Sequence, residues 1–505
     1  MNKNFYITTP IYYVNDSPHI GHAYTTLACD VAARFKRLDG YNVRFLTGTD
    51  EHGQKVEKSA QKAGVDPQKF TDDVSMRFRK LADFMNFSHD DFIRTTEERH
   101  KIGAQEVWKR LEKNGHIYLD KYSGWYSVRD EAYYQEAELI DGKAPTGADV
   151  EWVEEESYFF KLSAFEDKLL KHYEDNPDFI VPKSRRNEVL SFVKGGLRDL
   201  SISRTTFSWG VPVPGNEKHV MYVWLDALTN YMTAVGFPDE NADLYKNFWP
   251  ADIHMVGKDI LRFHAVYWPA FLMGAELPLP KKIVAHGWWT NEGQKISKSV
   301  GNIIDPIKLV DEFGLDQVRY FLMREVPFGN DGDYSRERMI ERINADLANN
   351  IGNLAQRTLS MIYKNCDGKF PEKGDNKDDK ILLDQVYGSL ERLRALLDSQ
   401  SYHEMLALII ELAGKANEFI DVQAPWKLKK EDPKRMGEVL YALAETIRVI
   451  AILLQPFIPE SAGKMLDQLG VDKSERGFEF INENGMLKSG IDLEKPEGVF
   501  PRFVE

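Results

Sequence analysis

Cysteine is nearly absent: 505 residues contain two, Cys29 and Cys366, far apart in the chain. Two distant thiols exclude a disulfide framework and any cysteine-rich metal centre. Long apolar runs are missing too, since none approaches the ~18–20 residues needed to cross a bilayer as a helix. Positive charge is in deficit, with 65 Lys and Arg against 79 Asp and Glu and a formal net charge of −14. That argues against broad, non-specific nucleic-acid binding, yet leaves room for a local basic surface selecting one folded RNA. No basic region followed by an apolar core opens the chain; Phe5-Tyr6-Ile7 reads as a strand almost at once. The expectation is a soluble, cytoplasmic protein with no removable presequence.

What is present is ample for a large core. At 43% hydrophobic and 29% charged residues, a chain of this length should form two to four domains. Residues 5–14 (FYITTPIYYV) read as a buried strand, followed by a turn at Asn15-Asp16-Ser17-Pro18. From Ile20 to Leu38 apolar residues recur at helical spacing through Leu27, Val31 and Phe35, and Gly40 ends the helix. Asn42–Leu46 is a second strand, leading into Gly48-Thr49-Asp50-Glu51-His52-Gly53 and another helical stretch. This alternation predicts a parallel α/β unit with its ligand at the carboxyl ends of the strands.

Residues 114–225 break the pattern. Trp125, Tyr126, Tyr133 and Tyr134 alternate with charged residues, and amphipathic helices are predicted around 164–175 and 185–199. The α/β pattern resumes with strands at Val220–Trp224, Asp252–Val256 and Lys282–Ala285, and a long helix through Phe263, His264, Tyr267 and Trp268. From about 336 onward the periodicity is helical, apart from a weaker tail after about 475. The expected fold is a doubly wound, parallel Rossmann-type α/β sheet split by an α+β insertion and followed by an all-α helical bundle. The expected boundaries are 1–113, 114–225, 226–335 and 336–505.

Two motifs carry chemistry. Lys295-Ile296-Ser297-Lys298-Ser299 lies between Gly293 and Gly301, as a loop with freedom to move. Its lysines are compact charges on flexible stems, suited to a polyphosphate. Pro18-His19-Ile20-Gly21-His22 falls where the first strand hands over to a helix, whose N-terminus favours anions. Gly21 would let a nucleotide approach closely, and the imidazoles can donate to phosphate oxygens as charge develops. Each motif has a plain alternative: a solvated loop with incidental lysines, or a capping histidine beside a surface one. Their co-occurrence favours the functional reading.

Together the motifs resemble the paired nucleotide motifs of class I aminoacyl-tRNA synthetases. Further segments, in order, resemble the methionyl-tRNA synthetases over nearly the whole chain. They are ITTPIYYVNDSPHIGHAYT, FLTGTDEHGQKV, YVWLDALTNYM, VGKDILRFHAVYWPA, KISKS and Ala424-Pro425-Trp426. The resemblance implies formation of methionyl-adenylate from methionine and Mg²⁺-bound ATP. Transfer of methionine to the 3′ end of tRNA(Met), initiator included, would follow.

His19, Gly21, His22, Gly257, Asp259, Lys295 and Lys298 would then meet ATP, with His19, His22, Lys295 and Lys298 catalytic. Asp50, at a strand's carboxyl end, could hold the methionine ammonium. Sulfur–aromatic contacts are worth roughly 0.3–1.5 kcal/mol, and Tyr13, Trp224, Tyr231, His264 and Trp268 supply suitable rings, although aromatics at helical spacing are also ordinary core. The resemblance places Tyr13, Trp224 and His264 in the pocket, with Ile11, Ala227 and Trp268 beside them. For tRNA, Trp426 could stack on an unpaired base. Asn353 and Arg357, one helical turn apart, could read a base edge, and Lys427, Lys429 and Lys430 could meet phosphates.

The pattern departs from the family in three places. The family's insertion often carries zinc on Cys-x-x-Cys pairs, but Gly124–Tyr158 has no cysteine, so no structural zinc is expected. Ile296 replaces a more usual Met, which puts no catalytic group in doubt. The bundle ends the chain without room for an appended dimerisation domain, so a monomer is expected. A class I synthetase for leucine, isoleucine or cysteine is the runner-up, opposed by the short insertion and the missing thiols. A relative that only binds tRNA is opposed by the intact His19, His22, Lys295 and Lys298.

Overall fold

The FYITTPIYYV stretch forms two strands, β1 (Asn4–Thr8) and β2 (Tyr12–Tyr13). Pro10 lies between them and, having no N–H to donate, breaks the ladder. The computed structural model describes residues 3–14, 17–130, 132–295 and 303–503. It divides into two compact units, one built on Asn4–Cys29 and Val43–His286, the other on Asp30–Asn42 and the chain from Gly287 onward. No helix among the described residues is long and apolar enough to cross a membrane.

In the first unit, β3 (Asn42–Asp50), β4 (Asp91–Arg94), β5 (Ile180–Val181), β6 (Ile253–Gly257) and β7 (Ile283–His286) join β1 and β2 in a seven-stranded sheet. The order is β2-β3-β1-β6-β7-β5, with β4 also paired to β3. β1 with β6, β6 with β7, β7 with β5, β2 with β3 and β3 with β4 all run parallel. Strand order thus reverses at β1, the kind of place where ligands enter such sheets. β3 runs four residues past the expected Leu46. It passes Gly48, where a Cβ would stand 2.1 Å from the Ile93 carbonyl of β4, so only glycine lets the strands approach.

Helix α1 (Ile20–Leu38) follows β2, as its spacing predicts. Helices α2 (Glu98–Lys113) and α3 (Val223–Thr233) flank the sheet's core, which gathers Trp108, Tyr231, Trp268 and Phe271. Two expectations differ from the structure here. Of Val220–Trp224 only Val220–Met221 is a strand; it pairs antiparallel with Ser203–Arg204, outside the parallel sheet, and α3 starts at Val223. A short apolar run does not by itself distinguish strand from buried helix. β5 lies within the range 114–225 assigned to the insertion, yet it adds the outermost strand beside β7.

The insertion's aromatic alternation is a long antiparallel hairpin, Ile117–Ser127 with Glu151–Phe160, flanked by Ala132–Tyr134 and Leu200–Ser201 in a four-stranded sheet. Polar side chains join its turns: Arg129 Nη2 donates to the Thr146 carbonyl at 2.7 Å and to its hydroxyl at 2.9 Å. Asp130 accepts from the same hydroxyl and from Tyr134.

The second unit is mainly helical. The helix Pro433–Leu454 is buried almost throughout and carries the Glu445–Arg448 pair, 2.6 Å apart, with Tyr387 also donating to Glu445. Asp30 and Arg319 form a second fully buried pair at 2.6 Å. The tail after 475 holds short 3₁₀ turns at Phe478–Phe480 and Glu483–Gly485.

Candidate functional site

Helix α3 carries Trp224, Ala227 and Tyr231 at i, i+3 and i+7, hence on one face. Trp224 stacks on Phe263 at 3.7 Å between centroids and meets His264 edge-on at 6.4 Å. Tyr231 Oη lies 2.6 Å from His264 Nε2, and His264 Nδ1 is 2.9 Å from the Ile260 carbonyl. The segment Phe263–Tyr267, expected as α-helix, is a π-helical turn, a geometry that often marks functional sites.

Burial lowers the His264 pKa from 6.5 to about 4 and raises that of Tyr231 well above the phenol range. Both are neutral near pH 7. His264 Nδ1–H therefore donates to Ile260, and Nε2 accepts the Tyr231 hydroxyl hydrogen. With these protons committed, the pair is an uncharged wall of rings suited to a thioether. Trp268 is fully buried 6.2 Å from Tyr231 and supports this wall. Ile11 and Tyr13 pack on the same core, and β2–β3 pairing sets Tyr13 opposite Asp50, the buried last residue of β3.

Neutral burial of His264 has a consequence for stability. Its folded pKa of about 4 lies below its ordinary 6.5, so between those values the unfolded chain binds more protons. Stability must then fall as pH drops through that window, by about 2 kcal/mol at pH 5 for this residue. His264→Gln, which cannot titrate, should lose correspondingly less stability than wild type between pH 7.5 and pH 5. Urea unfolding followed by tryptophan fluorescence measures the difference; equal losses in both proteins would refute the assignment.

At the start of α1 the His19 and His22 rings lie 4.0 Å apart. The His19 amide donates to His22 Nδ1 and the Gly21 amide to His19 Nδ1, both at 3.1 Å. A Cβ on Gly21 would come within 2.9 Å of His19 Cε1, so in this structure the His19 ring itself uses the space that glycine leaves. Burial, and secondarily His19, holds His22 well below its usual pKa. Since Nδ1 accepts, the His22 proton resides on Nε2, which leaves one donor there.

One turn on, Thr25 Oγ1 lies 2.7 Å from His286 Nε2, and His286 pairs in register with Gly257. The Asp259 carboxylate folds over Gly257, where a Cβ would meet Oδ1 at 2.5 Å. The histidine pair and the Gly257–Asp259 turn are thus linked through Thr25 and His286.

In the other unit Lys295 ends a tight hairpin, Trp289–Asn291 with Gln294–Lys295. Its turn residues Glu292 and Gly293 both have positive φ, 49° and 75°, as two-residue hairpins require. Lys298 lies outside the described residues.

Several polar residues at this site were not singled out from sequence. His52 Nδ1 is 2.6 Å and His100 Nε2 2.7 Å from the two carboxylate oxygens of Asp226, all three buried. Burial would raise the Asp226 pKa, but the two imidazoles outweigh it and hold it down to about 2. Glu51 is clamped by Arg94 at 2.6 Å and Thr49 at 2.7 Å, and its carbonyl accepts from Trp209 Nε1 at 2.6 Å. His254 stacks on Tyr231 at 4.0 Å and bonds Thr8. Polar residues inside motif strings, as in DEHG and WLDA, were the available signal.

In the helical unit, Arg357 places its guanidinium 5.6 Å from the Trp426 ring centroid and pairs with Asp421 at 3.0 Å. Trp426 is 44% exposed, and Asn353 is exposed one turn before Arg357. Ala424 adopts the left-handed conformation (φ 44°) that ends one helix, and Pro425 opens the next, which turns the indole outward.

Comparison with known proteins bears on this arrangement. The family model described as class I tRNA synthetases (M) matches residues 5–150 and 137–359. That of the anticodon binding domain of methionyl tRNA ligase matches residues 370–505. The chain is 62% identical over 508 residues to the methionine–tRNA ligase of Rickettsia felis, covering 100% of this chain and 99% of that protein. It is 57% identical over 509 residues to that of Brucella suis, with 100% and 98% covered. Among solved structures, Mycobacterium tuberculosis methionyl-tRNA synthetase in complex with methionyl-adenylate superposes with a TM-score of 0.96 at 54% identity, covering 99% of this chain and 100% of that one.

Proposed function

The chain belongs to the class I methionyl-tRNA synthetases, and we propose that the site at the carboxyl ends of β1, β3 and β6 is where methionine and ATP react. The protein is an ATP-dependent methionine–tRNA ligase. In the reading proposed, Asp50 takes the methionine ammonium. Trp224, Ala227, Tyr231 and His264 enclose the thioether, with Ile11 and Tyr13 at the β2 side and Trp268 behind. ATP enters as its Mg²⁺ complex, the ion riding on the phosphates. His22 donates through Nε2 to the α-phosphate as the methionine carboxylate attacks and pyrophosphate leaves. His19 holds the helix start, Gly257 and Asp259 face the ribose, and Lys295 and Lys298 neutralise the departing phosphates.

The observation that carries this reading is the neutral Trp224–His264–Tyr231 wall in the same unit as a buried carboxylate at a strand end. Amino-acid-dependent ATP–pyrophosphate exchange, run with each of the twenty amino acids, tests it. Exchange with methionine alone is expected; exchange driven by another amino acid would discard the pocket assignment.

The helical region of the second unit from about 336 onward is proposed to bind the anticodon of tRNA(Met), initiator and elongator alike, through Asn353, Arg357 and Trp426. A cytoplasmic monomer fits this role. Trp426→Ala should reduce tRNA charging about 10- to 100-fold, the worth of one stacked base, while exchange stays within about twofold. An equal fall in exchange would make Trp426 structural.

A further inference from the structure

Asp226 is completely buried in α3 and is shared by two imidazoles from distant segments. One is His52, two residues after Asp50; the other is His100, on α2. A buried carboxylate is tolerated only when its oxygens are matched by donors. Here each oxygen has one ring nitrogen, Oδ2 at 2.6 Å from His52 Nδ1 and Oδ1 at 2.7 Å from His100 Nε2. Both nitrogens must donate. His100 Nδ1 then faces Thr233 Oγ1 at 3.2 Å, one further tie to the same helix.

The placement of this bridge is what gives it consequence. Asp226 stands between Trp224 and Ala227, and His52 follows the strand end that presents Asp50. The segment 51–53 is held from its other sides as well. Trp209 takes the Glu51 carbonyl at 2.6 Å, returns its own carbonyl to the Gly53 amide at 3.0 Å, and meets the His52 ring edge-on at 5.6 Å. Short, charge-assisted bonds of this kind resist stretching, so the separation between Asp50 and the α3 face is set by side chains rather than by chain continuity.

We propose that Asp226, bridging His52 and His100, is a positioning residue that sets the distance between the carboxylate for the amino acid's ammonium and the rings for its side chain. It acts through Asp50 on one side and Trp224 and Ala227 on the other. The bridge thereby makes recognition of an α-ammonium conditional on a side chain of the right length. This rests on the assignment of the ammonium to Asp50.

The test compares L-methionine with its desamino analogue, 4-(methylthio)butanoic acid, as competitive ligands in pyrophosphate exchange. In wild type the ammonium should favour methionine strongly. Asp50→Asn should cut that preference about tenfold or more, the range for a bond to a charged group. Asp226→Asn should cut it about fivefold or more in the same sense, raising KM for methionine while kcat and KM for ATP stay within about twofold. His52→Ala should behave likewise, and His52→Asn, whose amide nitrogen can replace Nδ1 as donor, should recover most of the preference.

Should Asp226→Asn not fold, the His52 pair carries the same readout. Equal weakening of both ligands in Asp226→Asn and His52→Ala would mean a general structural role and overturn the proposal. So would an unchanged preference in both, with Asp50→Asn still effective. A preference untouched by Asp50→Asn would instead overturn the ammonium assignment, and the bridge's proposed role with it.

Discussion

Lys298→Ala should slow methionyl-adenylate formation about 100- to 1,000-fold while methionine binding at equilibrium changes by less than about twofold. The magnitude is that of removing one preorganised group from a site of developing charge. As ATP loses pyrophosphate, negative charge accumulates on the departing oxygens. A lysine on a flexible stem can follow that charge and need not touch the amino acid. The effect should therefore fall on the rate at saturating ATP and methionine, with a smaller rise in KM for ATP. Rapid-quench measurement of adenylate formation separates these quantities, alongside calorimetric titration with methionine. An unchanged rate would remove Lys298 from the chemistry. A loss of methionine affinity matching the loss of rate would make the substitution a general disruption.

The second large effect is expected at His22, where the structure makes a finer distinction than removal alone. Its Nδ1 accepts the His19 amide hydrogen at 3.1 Å and burial keeps the ring neutral, so Nε2–H is its donor. Glutamine presents an amide nitrogen near the Nε2 position and asparagine near Nδ1. His22→Gln should keep on the order of a tenth of the adenylate-formation rate. His22→Asn and His22→Ala should fall on the order of 100-fold or more. Because the ring is already neutral, the wild-type rate should not require deprotonation of His22 anywhere between pH 6.5 and 8. Equal losses in all three variants would mean that the ring's packing against Tyr12 and Phe78, at 4.8 and 5.2 Å, matters more than its proton.

The two motifs, the helix behind His19 and His22, the mixed strand and helix character of the insertion and the helical C-terminal region were all legible in the chain. Each depends on local pattern: a periodicity of 3.6 or 2, a turn residue, or a short charged string. Val220–Trp224 was misread because five apolar residues satisfy a buried strand and a buried helix start equally well. Only the partner strand Ser203–Arg204 and the helix geometry from Val223 decide between them. Residues 180–181 carry too little pattern to announce a sheet edge, and they become one by pairing with β7. The His52–Asp226–His100 bridge could not be anticipated at all, since its partners are 174 and 126 residues apart.

Residue types and their local order were enough to state the chemistry: a histidine pair at a helix start, a lysine loop, a carboxylate at a strand end and an excess of aromatic rings. Only tertiary packing assigned protons and partners. Burial takes His264 to about 4, whereas two imidazoles from distant segments hold Asp226 down to about 2 against its burial. A neighbour's amide, not the imidazole itself, settles which nitrogen of His22 donates. These are properties of dielectric and distance, and both exist only once the distant segments of the chain have been brought together.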